Sequence, residues 1–166
     1  MSEAAEWEHR VADAWASIDR YEDEQAFRAL IESLVVELPP GSAIGLFERA
    51  CAFDSTGHSD KAVPLYRQAL ETGLEGIRRR RAVIQMSSSL RNIGRAAEGV
   101  ELLEKELEQP SDELDDAVHA VLALCLVELG RGREAVSHAV GALAKHLPRY
   151  QRSMANYARL LVQPDE

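Results

Sequence analysis

Cysteine is scarce in this chain of 166 residues: there are two, Cys51 and Cys125. Each falls within a helical pattern in a different part of the sequence. They read as small core or groove residues rather than as a disulfide. Aromatics make up only 5% of residues, which suits a helical repeat and not a sandwich. No apolar run approaches the roughly 18 residues of a membrane span. The opening MSEAAEWEHR is acidic and lacks an apolar leader core, so a cytoplasmic place and no membrane partner are expected. Positive charge is also in deficit, with 19 Lys and Arg against 28 Asp and Glu and a net charge of −9. That balance argues against general nucleic-acid binding.

The signatures of chemistry are missing too. There is no G-x-S-x-G, no phosphate-cradling G-x-x-x-x-G-K and no H-E-x-x-H. His9, His58, His119, His138 and His146 are scattered, without further ligands at matched spacing. Neither a metal nor a cofactor is expected. His58-Ser59-Asp60 has the residue types of a hydrolase triad, but neighbours on one turn cannot face each other in base-to-nucleophile order. Ser59 as a helix N-cap and Asp60 in the first turn account for the same residues. No catalytic residue is assigned, and the chain is not expected to be an enzyme.

What is present is a repeat. Gly57, Gly94 and Gly130 recur 37 and then 36 residues apart, each between two apolar helical patterns. Aligned on them, Ala50, Ser87 and Ala123 precede by seven residues. Ala62, Gly99 and Ala135 follow by five, each with a valine next: Val63, Val100 and Val136. Tyr66, Leu103 and Ala139 follow by nine, and Leu70, Leu107 and Leu143 by thirteen. Small residues let the helices of a hairpin approach closely, and larger apolar ones fill the seams between pairs. Such a period marks stacked helix pairs. A worn copy comes first: Ala14, Ala26, Leu30 and Leu34 lie 36 residues before Ala50, Ala62, Tyr66 and Leu70, with Tyr21 in place of the glycine. That turn must be built differently.

The pattern predicts helices over 3–20, 23–38, 43–56, 59–73, 76–93, 96–108, 112–129, 132–146 and 149–162, with no strand. The last carries Tyr150, Met154, Tyr157, Ala158 and Leu161 and reads as a capping helix. Ser42, Ser59 and Ser111 are expected N-caps. Pro64, inside its helix, predicts a slight bend or a later start. Trp7 and Trp15 share a stripe and are expected to pack on the second helix. An exposed aromatic anchor for a partner, the alternative, falls on Trp7.

The segment ERACAFDSTGHSDKAVPLYRQALETGL resembles a tetratricopeptide repeat, as do RAVIQMSSSLRNIGRAAEGVELLEKEL and HAVLALCLVELGRGREAVSHAVGAL. The run AVPLYRQAL, GL, RRRRAVIQ and SLRNIGR is similar to a short bacterial group of that family. Leu46, Val83 and His119 stand where the family pattern has a tryptophan. The resemblance implies an all-α fold: one domain over 1–166, a right-handed α-solenoid of antiparallel helix pairs. It implies three clear units, one degenerate N-terminal pair and one C-terminal capping helix. It also implies a concave surface lined by the first helix of each pair.

On that alignment the groove carries Arg81, Gln85, Ser88, Arg91 and Asn92, flanked by Phe47, Cys51 and Asp54 on one side and by Ala120, Leu124 and Glu128 on the other. Arginine suits a carboxylate or phosphate, because its planar guanidinium gives two parallel charge-assisted bonds. Gln85 and Asn92 offer both donor and acceptor to an extended backbone. The basic run Arg78 to Arg81 has a plainer reading as a solvated face. Three functions follow. The leading one is a protein-binding module for an acidic or extended peptide or partner face, with Arg81, Gln85, Ser88, Arg91, Asn92, Phe47 and Asp54 as contacts. The second is a scaffold that self-associates, its acidic N-terminal pair meeting the basic run of another copy. The remote third is a carboxylate-dependent hydrolase.

Overall fold

A computed structural model describes residues 2–163. Among them are nine α-helices and no strand: α1 (Glu3–Ala16), α2 (Glu24–Val35), α3 (Ala43–Asp54), α4 (Ser59–Glu71), α5 (Gly76–Asn92), α6 (Ala96–Leu107), α7 (Asp115–Glu128), α8 (Gly132–Ala144) and α9 (Gln151–Leu160). Every expected helix forms, with ends trimmed by a few residues. The fold is all-α and built of helix pairs, the construction of an α-solenoid. The chain divides into two compact units, Met1–Ala82 and Val83–Glu166.

The repeat glycines work as expected. Gly57, Gly94 and Gly130 have φ of 78°, 79° and 72°, a left-handed conformation that ends a helix at low cost only without a Cβ. Each is closed by the same pair of bonds. At Gly94, the Arg95 amide donates to the Leu90 carbonyl at 2.8 Å and the Gly94 amide to that of Arg91 at 3.1 Å. Where Tyr21 replaces the glycine, a short 3-10 turn over Ile18–Arg20 carries the chain round, and Tyr21 stays extended at φ −98°.

Of the three serine caps, Ser42 is one, its hydroxyl accepting from the Gly45 amide. The other two are corrected. Ser59 is the first helical residue, behind His58 at the cap position, and is buried. Ser111 lies ahead of α7, which starts at Asp115, and its hydroxyl bonds the Asp115 carboxylate. Pro64 lies exposed inside α4 without delaying its start.

In the first unit the core gathers Trp7, Val11 and Ala14 of α1, Phe27, Ile31, Leu34 and Val35 on α2, and Ala52 of α3. Trp7 is buried and donates its indole N–H to the Leu34 carbonyl at 2.8 Å. The tryptophan singled out for exposure is therefore the deeper of the two. Trp15, half-buried, meets the Phe27 ring edge-on and donates to Glu48 at 2.8 Å. In the second unit, Val100 and Leu103 of α6 pack with Val118, Leu122 and Leu126 of α7 and with Ala135 of α8. Gly99 gives the closest approach. A Cβ there would lie 3.1 Å from both Cys125 Sγ and the Ser87 carbonyl oxygen. Helix α9 rests on α8, and Gln151 at its start donates to the Lys145 and Leu147 carbonyls just past the end of α8.

Candidate functional site

The helix α5 carries Arg81, Gln85, Ser88 and Asn92 at steps of four, three and four residues, the spacing of one helical stripe. Arg81 and Asn92 are exposed, and Gln85 and Ser88 half-buried. In the first unit Phe47 of α3 is fully buried, and the Arg81 guanidinium carbon lies 5.2 Å from the centre of its ring. An exposed cation is thereby steadied by an aromatic face. Asp54, the last residue of α3, accepts from the Tyr66 hydroxyl at 3.2 Å, and that hydroxyl also lies 3.6 Å from Cys51 Sγ. Burial pushes the Cys51 thiol up to about 12 and raises the Tyr66 hydroxyl as well. Both stay protonated at neutral pH, so Cys51 is inert as a nucleophile.

In the second unit Arg91 donates to Asn92 Oδ1 at 3.0 Å and lies 3.7 Å from Glu128 of α7. Ala120, Leu124 and Glu128 are exposed, as expected of a surface-lining first helix. Cys51 and Cys125 are both buried thiols outside any disulfide.

The basic run is not a solvated face. Arg80 is only 5% exposed. Arg78 grips both carboxylate oxygens of Glu8 at 2.8 and 2.7 Å and reaches Glu48 at 3.1 Å. Glu8 is held below the usual carboxylate range by that contact. The run ties α5 to α1 and α3 within the first unit and leaves Arg81 exposed.

The profile of the tetratrico peptide repeat family matches residues 43–161. The chain belongs to that family. Its α1–α2 pair lies outside the match, in keeping with its missing glycine. Among solved structures, "YrrB: a TPR protein with an unusual peptide-binding site" resembles the chain with a TM-score of 0.54 at 14% identity. The likeness covers 93% of this chain and 86% of that one, and it is a likeness of fold. No curated protein matches the chain. Tetratricopeptide repeats serve as protein-interaction modules, with α3, α5 and α7 as the first helices here and α4, α6 and α8 as the second.

Two features of these repeats went unread in the sequence. His119 and His138, on facing helices of one repeat, bring their Nδ1 atoms within 2.9 Å. They border a cleft of about 380 Å³ lined also by Asp116, Lys145, Ala158 and Arg159. No group of three or more His, Cys, Asp or Glu among the described residues is placed to hold a metal. The only advance signal was their placement eleven residues before and eight after Gly130, positions that face each other in a hairpin. The second feature is Glu48, buried on α3 beneath Trp15 and Arg78. An acid inside an apolar helix was its signal. Among the described residues no helix is long and apolar enough to cross a membrane.

Proposed function

We infer that this tetratricopeptide protein is a non-catalytic binding module for an acidic, extended peptide segment of a partner protein. Each unit supplies its own contacts from the first-helix surface: Arg81 and Asp54 in the first, and Gln85, Ser88, Arg91 and Asn92 in the second; Phe47, expected as a contact, is fully buried and serves only as the support beneath Arg81. The observation that carries the reading is Arg81, an exposed guanidinium steadied over the buried Phe47 ring at 5.2 Å. A cation held in place loses little freedom on binding, so more of its attraction to a carboxylate or phosphate appears as affinity. Arg91 and its neighbour Asn92 add a second cation beside an amide able to bond a peptide backbone. Self-association through the basic run is the weaker reading, because Arg78 is already bound to Glu8 of its own copy.

The test is capture from native lysate, with mass-spectrometric identification, by the wild-type chain and by an Arg81→Glu, Arg91→Glu double variant whose helicity is checked. The expected result is an acidic partner held by the wild type, lost by the variant and released by salt. A partner held equally by both would move binding to another surface.

A further inference from the structure

The last repeat leaves uncovered what the one before it buries. On α6, Val100 is 3% exposed and Leu103 fully buried, both packed against the first helix of the next pair, α7, with Leu107 alongside. The same repeat positions on α8, 36 residues on, are Val136, Ala139 and Leu143. Val136 is 49% exposed and Leu143 52%, and Ala139 is open as well. Their spacing of three and four residues makes one apolar stripe. Helix α9 does not occupy it. Its Ala158 meets α8 at Gly141, about 140° around the helix from Val136 at the ordinary 100° per residue. Leu124 and Val127 on α7 are exposed as well.

The repeat shows what shape covers such a stripe. On α6 the cover is a helix presenting Val118, Leu122 and Leu126 at steps of four. Charge selects the source. Residues 132–163 carry Arg133, Arg149, Arg152 and Arg159, all exposed, with Lys145 paired to Asp116, against the single acid Glu134, which is paired with Arg131. Arg133 lies one turn before Val136. A second copy of α8 would bring the same cations to the contact, and like charges there are unfavourable. The helices α1 and α2 already bury their apolar faces in their own core.

We propose that the α8 stripe Val136–Ala139–Leu143 is a docking site for an amphipathic, acid-flanked helix of a partner protein. The site is separate from the surface around Arg81 and does not rest on that reading. Binding there extends the array by one helix, supplied in trans.

The chain contains a suitable probe. Residues 112–129 form the helix that covers the α6 stripe, and they hold five acids and no lysine or arginine. A fluorescein-labelled peptide of this sequence, with Cys125→Ser, is titrated with the full chain and followed by anisotropy. The expected result is saturable binding that weakens about tenfold or more in a Val136→Asp, Leu143→Asp double variant. It falls several-fold at high salt, and the same weakening by the α8 substitutions is read in an Arg81→Glu, Arg91→Glu background, which removes any binding of the acidic probe at the Arg81 surface. Both α8 residues are exposed, so the variant retains its helicity and thermal midpoint, checked by circular dichroism. Absence of binding, or binding that survives the α8 substitutions, overturns the proposal. So does a concentration-dependent dimer in sedimentation equilibrium that the same substitutions abolish, since the occupant would then be a second copy.

Discussion

The Trp15 indole donates to Glu48 Oε2 at 2.8 Å while Arg78 Nε holds the other carboxylate oxygen at 3.1 Å. One buried acid thus joins α1, α3 and α5 in the first unit. Removing it strands two donors in an apolar setting. Glu48→Ala is expected to lower the folding free energy by about 2–4 kcal/mol, read from urea midpoints. Glu48→Gln keeps an acceptor for Trp15 and should cost less. Equal midpoints for Glu48→Ala and wild type would show that the acid is not an anchor.

The glycines divide into three kinds that one substitution separates. Gly94→Ala forces a side chain into φ 79° with open space around it, and should cost about 1 kcal/mol from backbone strain alone. Gly99→Ala has an ordinary helical backbone but pushes a methyl to 3.1 Å from Cys125 Sγ and the Ser87 carbonyl, and should cost about 1–3 kcal/mol as overpacking. Gly132→Ala, helical and open, should stabilise by about 0.5 kcal/mol. Thermal or urea unfolding of the three variants checks the order.

The helix pairs were legible because their causes are local. Gly57, Gly94 and Gly130 announce the turns by themselves, and the helical spacing of Arg81, Gln85, Ser88 and Asn92 places them on one stripe without further knowledge. Burial of charge was not legible. Arg78 and Arg80 belong to a run of four cations that reads as surface, yet Arg78 finds Glu8 seventy residues away. That partner exists only once α1 has packed. Trp7 packs on α2 as its shared stripe with Trp15 predicts, and only the alternative of an exposed anchor fails, for a related reason. Nearness to a chain end says little when the Leu34 carbonyl waits for the indole N–H. The exposure of Val136 was hidden by the repeat itself, since Val63 and Val100 at the same position are buried.

Acid should loosen the first unit through its carboxylates. Glu8 and Glu32 are held below their ordinary 4.5 chiefly by hydrogen bonds from Arg78 and Arg49. A carboxylate depressed in the folded state contributes stability that is fully present above 4.5 and is lost as pH falls through the lower folded value. Urea midpoints should therefore fall as pH drops below about 4.5. Glu8→Gln should start lower at neutral pH and show a shallower decline. A decline as steep as that of wild type would remove the Glu8–Arg78 pair from the account.

The histidine pair of the last repeat sets a second pH dependence at milder values. With Nδ1 atoms 2.9 Å apart and ring centres at 5.1 Å, the two nitrogens face each other, and one can donate to the other only where the acceptor nitrogen carries no proton. Double protonation would place two N–H groups head to head. Burial, and after it the nearness of His119, lowers His138 below its ordinary 6.5, against the opposing pull of Glu134 and Glu104 and with a small push from Arg131. Asp116, which also borders the cleft, is already engaged by Lys145 and His146. A histidine depressed in the folded state binds its proton more readily when unfolded, so stability falls as pH drops through 6.5 towards the folded value. The thermal midpoint should decline between about pH 7 and pH 5, and His138→Gln should flatten that decline while leaving the acid-range loss from Glu8 and Glu32 in place. A variant whose midpoint tracks wild type across this range would remove His138 from the account of this pH dependence.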